Sequence, residues 1–117
     1  MVDLIINQLK KGSIKDVVLF SDTDKPPQPP YVIVKSENGI VPNTRQYRIS
    51  VYHNQGMFDA LQNYVMNEID LLLPHQLEDK DGRRYLLYKN GQTDISLEPT
   101  DNTYFMERIF FSPLLGK

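Results

Sequence analysis

The chain has 117 residues, of which 40% are hydrophobic and 24% are charged. This length favours one domain (residues 1–117) with one core, and the composition is typical of a folded protein. The 13 Lys and Arg against 15 Asp and Glu give no basic surplus of the kind that nucleic-acid binding usually needs. Because Cys is absent, disulfides, Cys-ligated metals and thiol nucleophiles are excluded.

The first part of the chain shows a short helix followed by two strands. Apolar residues at helical spacing predict a helix near 2–11, ended by Gly12. The β-branched run 16–21 predicts a strand, and the sequence YVIVK at 31–35 predicts a second one. The segment between them favours an extended polyproline conformation because it contains Pro26, Pro27, Pro29 and Pro30.

The middle of the chain has the strongest periodicity. After a predicted turn at Glu37-Asn38-Gly39, residues 45–54 alternate with period two. Tyr47, Ile49 and Val51 share the face that is expected to enter the core, while Gln46, Arg48, Ser50 and Tyr52 share the other. A longer amphipathic helix is predicted from Met57 to Leu73, where Pro74 ends it.

The last part of the chain predicts a charged loop at 75–82 and a β-hairpin. The hairpin pairs 84–89 with 92–97 through Asn90-Gly91, a dipeptide that suits a two-residue turn. Residues 104–112 predict a final strand. The expected fold is therefore α+β, a mostly antiparallel sheet of about five to six strands with two helices packed on one face.

The patterns expected of a catalytic or metal site are missing. His53 and His75 are far apart and share no helix with a second ligand, so a zinc site has little support. Asp79-Lys80-Asp81-Gly82 resembles part of an EF-hand, but Leu77 and Tyr88 would occupy positions that need carboxylates. There is no nucleophile elbow or Gly-rich phosphate loop. We expect no enzymatic activity, no metal and no cofactor.

A nucleic-acid surface has partial support from basic residues near tyrosines. The basic residues are Arg45, Arg48, Arg83, Arg84, Lys89 and Arg108, and the tyrosines are Tyr52, Tyr85 and Tyr88. The slightly acidic overall charge weighs against this interpretation.

The carboxyl end carries more apolar side chains than one sheet face can bury. Bulky groups occupy both faces of the predicted last strand, and an uncovered apolar face of this kind marks an interface. We predict contacts with other subunits through an assembly surface formed by Pro26, Pro27, Pro29, Pro30, Arg48, Tyr52, Phe110, Phe111, Leu114 and Leu115. The substitutions Arg48→Glu or Tyr52→Ala should then weaken assembly without unfolding the monomer.

The order of these elements resembles the tail terminator (tail-completion) proteins of long-tailed bacteriophages. The resemblance lies in the initial helix and strand, the sequence PYVIVK at 30–35, and YRISVY at 47–52 running into the helix 58–73. It covers about the first three-quarters of the chain and is one of pattern, without a diagnostic motif.

The resemblance implies a small α+β virion protein that forms a hexameric ring on the end of the tail tube. Its partners would be sister copies, the tail tube protein and a head-connector or neck protein. It would lie at the head-proximal end of the virion tail, after assembly in the host cytoplasm, without catalysis, cofactor, membrane contact or sequence-specific nucleic-acid binding.

Other functions remain open on the residues alone. A monomeric binding module would have a concentration-independent mass and a concave apolar pocket. A nucleic-acid-binding protein would bind DNA or RNA with a steep salt dependence. No apolar run reaches the roughly 18 residues of a membrane span, and the amino end has acidic Asp3 where a signal peptide would have basic residues. We therefore expect an intracellular protein.

Overall fold

The structure is a computed structural model that describes residues 1–22, 28–39, 42–54, 56–89 and 103–113. These residues form an α+β fold with a mixed five-stranded sheet, a small two-stranded sheet, and a short and a long helical region. In chain order the elements are α1 (Val2–Leu9), β1 (Val17–Leu19), a 3₁₀ turn (Phe20–Asp22), β2 (Tyr31–Asn38), β3 (Thr44–Asn54), α2 (Phe58–Asn63), a π-helical segment (Tyr64–Glu68), α3 (Ile69–Leu72), β4 (Gln76–Glu78), β5 (Arg84–Leu86), β6 (Tyr88–Lys89) and β7 (Thr103–Pro113).

The five-stranded sheet has the order β1-β2-β3-β7-β6. β2, β3, β7 and β6 are antiparallel neighbours, and only β1 runs parallel to β2. The predicted core face of β3 is confirmed, because Tyr47, Ile49 and Val51 are all buried. Their neighbours across the sheet, among them Val34 and Phe110, lie on the same face and extend this core.

The long helix is continuous from α2 through the π-helical segment to α3 and matches the predicted helix 57–73. Its buried residues share one hydrophobic cluster with the core face of the sheet; they are Leu61, Tyr64, Val65 and Ile69. Within the described ranges, no helix has the length and apolar character that crossing a bilayer demands.

The end of the short helix α1 lies close to the long helix, where the Gly12 backbone approaches the Leu72 side chain. Ile5 and Leu9 are fully buried, as their helical spacing predicted. At Gly12, an added Cβ would lie 2.6 Å from Cδ1 of Leu72, so only glycine fits there without a shift. The next residue, Ser13, donates its backbone N–H and its hydroxyl to the Glu68 carboxylate. Both contacts tie the end of α1 to the long helix.

Three sequence predictions about local structure were wrong. Glu37 and Asn38 continue β2 instead of turning, because β3 is long enough to pair with them through Gln46 and Arg45. The predicted loop 75–82 contains β4, which pairs with β5. The predicted strand 84–89 is interrupted at Leu87, whose side chain is buried in the core between β5 and β6.

Some predictions fall on residues outside the described ranges. These are the Asn90-Gly91 turn, the strand 92–97, and Pro26, Pro27, Leu114 and Leu115. Of the predicted final strand, β7 is described from Thr103 to Pro113 and pairs along its whole length with β3.

Candidate functional site

The sheet has a second face that points away from the hydrophobic core. Alternation along β2, β3 and β7 places a mixture of charged and apolar side chains there. We call this the outer sheet face and define it by Ile33, Lys35, Glu37, Arg48, Ser50, Tyr52, Glu107, Ile109 and Phe111. Most of these side chains are half-buried, so the face is a shallow surface that can still be approached from solvent.

A charged network crosses the three strands of this face. Nη1 of Arg48 lies 3.0 Å from Oε1 of Glu107, and Nε of Arg48 lies 3.4 Å from Oε1 of Glu37. The Ser50 hydroxyl donates to Oε2 of Glu107 at 3.1 Å. Desolvation acts to lower the pKa of Arg48, but the carboxylates of Glu107 and Glu37 outweigh it and raise that pKa. Arg48 therefore stays charged and holds two carboxylates together.

Aromatic side chains frame a recess beside this network. The rings of Tyr31 and Tyr52 stack with centroids 4.8 Å apart. Phe20 is 55% exposed, and Nζ of Lys35 lies 4.8 Å from the centre of its ring. Phe20, Lys35 and Tyr52 line a recess of about 300 Å³, which also touches Arg48 and Glu107. Burial, together with the nearby Glu107 carboxylate, raises the pKa of Tyr52.

The structure separates the predicted assembly surface into three groups. Arg48, Tyr52 and Phe111 lie on the outer sheet face, and Pro29 and Pro30 are half-buried immediately before β2. Phe110 was wrongly assigned to that surface: its side chain is 0% exposed, because strand alternation turns it into the core opposite Tyr47. The remaining members, Pro26, Pro27, Leu114 and Leu115, lie outside the described residues.

The basic residues do not form one surface either. Arg108 was considered as part of a nucleic-acid surface, but it is buried on the core face and donates to both oxygens of Asp70 at 2.9 and 2.8 Å. Lys89 binds the same carboxylate at 3.1 Å. Since Arg48 is also held by carboxylates, a continuous basic surface through these residues is excluded.

The other three arginines come together in a pocket that sequence analysis did not find. This basic pocket, of about 430 Å³, is lined by Arg45, Arg83 and Arg84 with Tyr47, Tyr85, Met1, Leu86, Ser112 and Pro113. It lies where β3, β5 and β7 approach one another. The arginines are up to 39 positions apart, counting 84 minus 45, so local patterns could not predict their meeting.

Asp79 organises the turn that carries two of these arginines. Its Oδ1 accepts the backbone N–H groups of Asp81 and Arg83, both at 2.9 Å, and its Oδ2 accepts the Tyr85 hydroxyl at 3.4 Å. Gly82 completes the turn with a φ of +83°, which glycine adopts without strain. These backbone hydrogen bonds, chiefly that from Arg83, lower the pKa of Asp79.

We expect Asp79→Ala to reduce the hydrogen-exchange protection of the Asp81 and Arg83 amides, which would lose their acceptor. In the unchanged chain, the depressed pKa means that the turn is stabilised above the ordinary pKa of Asp. This contribution is lost as the pH falls through the lower, folded-state pKa. Protection factors measured by NMR would test both statements, with Asp59→Ala on α2 as the control. Unchanged protection in Asp79→Ala would contradict the first statement, and protection in the unchanged chain that does not fall at acidic pH would contradict the second.

The histidines show no ligand-like arrangement. His75 contacts the Tyr88 ring edge-on, with centroids 4.6 Å apart. Burial lowers the pKa of His53, which lies near the end of β3. Among the described residues, no three His, Asp or Glu side chains are grouped so that they could hold a metal ion.

The sequence matches no protein-family model and no curated protein.

Proposed function

We propose that the chain is a structural assembly subunit, a tail terminator or related head–tail joining protein of a long-tailed bacteriophage. In this role, copies form a ring on the end of the tail tube, stop its growth and present a surface to the head connector. The protein acts through its contacts and carries out no chemical reaction.

The outer sheet face is the observation that carries this proposal. It combines the half-buried side chains of Ile33, Tyr52 and Phe111 with a fixed charged network on three long, hydrogen-bonded strands. A rigid platform of this composition suits protein contact, because apolar and aromatic groups supply buried area while charges set orientation. The α+β architecture is compatible with the resemblance of the sequence to tail terminators.

A ring also needs two different surfaces on each subunit. In a closed ring with head-to-tail contacts, the outer sheet face of one copy would meet another region of the next copy. The long helix supplies exposed apolar side chains on the opposite side of the core, with Leu71 82% and Met66 38% exposed. We place the helix of one subunit against the outer sheet face of its neighbour.

The network suggests a milder test than the charge reversal Arg48→Glu. That reversal would bring a third carboxylate beside Glu37 and Glu107, and repulsion would destabilise the monomer itself. Arg48→Gln removes the charge and keeps a hydrogen-bonding side chain. Tyr52→Ala removes the stacked ring from Tyr31 and opens the recess.

We expect Arg48→Gln and Tyr52→Ala to weaken ring formation by roughly tenfold each, the effect of losing a typical interface contact of about 1.4 kcal/mol. Native mass spectrometry would measure the oligomer, and negative-stain imaging with purified tail tubes would show capping. Lys80→Gln, a charge removal on an exposed turn away from this face, is the control and should assemble normally.

Thermal unfolding of each variant separates assembly from folding. Parallel loss of thermal stability and assembly in both variants would show that the two residues are structural. If the unchanged protein stays monomeric at all concentrations and does not bind tail tubes, the proposed function is wrong.

A further inference from the structure

The basic pocket has chemistry that the proposed assembly role does not use. Arg45, Arg83 and Arg84 bring three guanidinium groups to one concave site on a chain whose formal net charge is −2. None of the described residues that line this pocket carries a carboxyl group. A local excess of positive charge in a concave site attracts anions and concentrates them.

Among the described residues, Arg45 is held in place by uncharged hydrogen-bond acceptors and forms no ion pair. Its Nε donates to the Ser36 hydroxyl and its Nη1 donates to the Asn38 side-chain oxygen, both at 2.8 Å. Both acceptors are uncharged, so the hydrogen bonds fix the guanidinium while its positive charge stays available. Such preorganisation lowers the entropy cost of binding an anion.

The positive charges of Arg83 and Arg84 are only weakly compensated by nearby carboxylates. Nε of Arg84 lies 3.9 Å from Oε2 of Glu78, and both side chains are mostly exposed, so this pair contributes little. Arg83 makes no ion pair within the described part of the chain. The Arg83 charge is one of the causes that lower the pKa of Asp79, but Asp79 forms no ion pair with Arg83 in the described residues, and its oxygens accept the hydrogen bonds of the turn that carries Arg83.

The pocket is larger than a single small anion requires. Its volume of about 430 Å³ falls within the range of small-molecule sites. Apart from Ser112, the rest of the described wall is aromatic or apolar, with Tyr47, Tyr85 and Pro113 beside the arginines. The pocket therefore offers charge for an oxyanion and flat apolar surface for an attached ring.

We propose that the basic pocket binds a small organic phosphate, with the phosphate on the arginines and a flat ring against Tyr85. The planar guanidinium group of arginine donates two parallel hydrogen bonds to phosphate oxygens, a geometry that a monatomic anion cannot match. A dianionic phosphate also uses several guanidiniums, whereas one carboxylate is satisfied by a single arginine. A nucleoside monophosphate is the simplest ligand of this class. This site is independent of the proposed assembly role.

Isothermal titration of the full chain tests the proposal with adenosine monophosphate, inorganic phosphate, adenosine and citrate. We expect the monophosphate to bind more tightly than inorganic phosphate or adenosine, and more tightly than citrate, with affinity that falls as salt rises. No binding of the monophosphate at millimolar concentration would overturn the proposal. Equal binding of citrate would overturn the choice of phosphate.

Variants decide whether binding occurs in this pocket. Arg45→Gln and Arg83→Gln should each weaken binding by about tenfold, the loss typical of a charge-assisted hydrogen bond. The control is Lys80→Gln, which removes one positive charge from the turn that carries Arg83. Because Lys80 does not line the pocket, this variant should bind as the unchanged chain does. Thermal unfolding checks that each variant is folded. Unchanged affinity in both arginine variants would overturn the assignment.

A further binding experiment identifies whether the phosphate belongs to a free nucleotide or to the end of a nucleic acid. A single-stranded oligonucleotide with a 5′-phosphate is compared with the same strand lacking it. Tighter binding of the phosphorylated strand than of the mononucleotide, lost in Arg45→Gln, would identify a nucleic-acid end. Preference for the mononucleotide would identify a free nucleotide. Equal binding of both strands would show contact with the internal backbone and contradict the pocket as the site.

Discussion

Phe110→Ala is expected to lower the free energy of unfolding by about 3–5 kcal/mol, the range for deleting a buried aromatic side chain. The ring is 0% exposed and lies in the hydrophobic core opposite Tyr47 on β3. A domain of this size is stable by about 5–15 kcal/mol in total, so the variant should lose a large fraction of its stability. Chemical denaturation followed by circular dichroism would measure the change.

Phe20→Ala provides the matched control. It removes the same side chain from a position that is 55% exposed, where the main described contact is with the Lys35 ammonium group. A loss of at most about 1 kcal/mol is expected, as for an exposed cation–π contact. Similar losses for Phe110→Ala and Phe20→Ala would contradict the core position of Phe110.

The second large effect is expected for Asp70→Asn, which should cost about 3 kcal/mol of stability because it removes the negative charge that lies against the buried Arg108 guanidinium. The Arg108 side chain is 8% exposed and donates to both oxygens of Asp70. The pair joins the long helix to the core face of β7. Thermal and chemical unfolding of the purified variant would measure the loss.

Two further variants test this explanation. Lys89→Gln removes the other cation bound to Asp70, but Lys89 is half-exposed, so a loss within about 1 kcal/mol is expected. The double variant Asp70→Asn with Arg108→Met removes the buried charge together with its partner. It should be more stable than Asp70→Asn alone, since an apolar side chain of similar size replaces the cation. A double variant that is no more stable would contradict the argument.

The secondary structure and the buried face were predictable for segments with a strong hydrophobic period. The alternation in 45–54 identified both faces of β3, and the helical spacing of apolar residues located α1 and the long helix within a few residues. In each case one side of the element is buried, so burial itself imposes the period that the sequence displays. The α+β class follows from the same patterns.

Residues whose environment depends on distant partners were not predictable in this way. Asp70 has the spacing of a solvent-facing helix residue, yet it binds Arg108 from β7. Phe110 and Phe111 are equivalent in a strand with bulky groups on both sides, and only the register with β3 sends Phe110 inward and Phe111 outward. Of the predicted turn Glu37-Asn38-Gly39, the first two residues are part of β2, because β3 supplies their hydrogen-bonding partners.

The sequence by itself determined the α+β class, the two main helical regions, the core face of the central strand, and the absence of cysteine chemistry. Only the tertiary structure decided which charges meet: it buried Arg108, placed Arg48 between two carboxylates, and gathered Arg45, Arg83 and Arg84 in one pocket. The physical reason is that backbone periodicity is a local property, whereas electrostatic contacts depend on strand register and on loops that bring distant segments together.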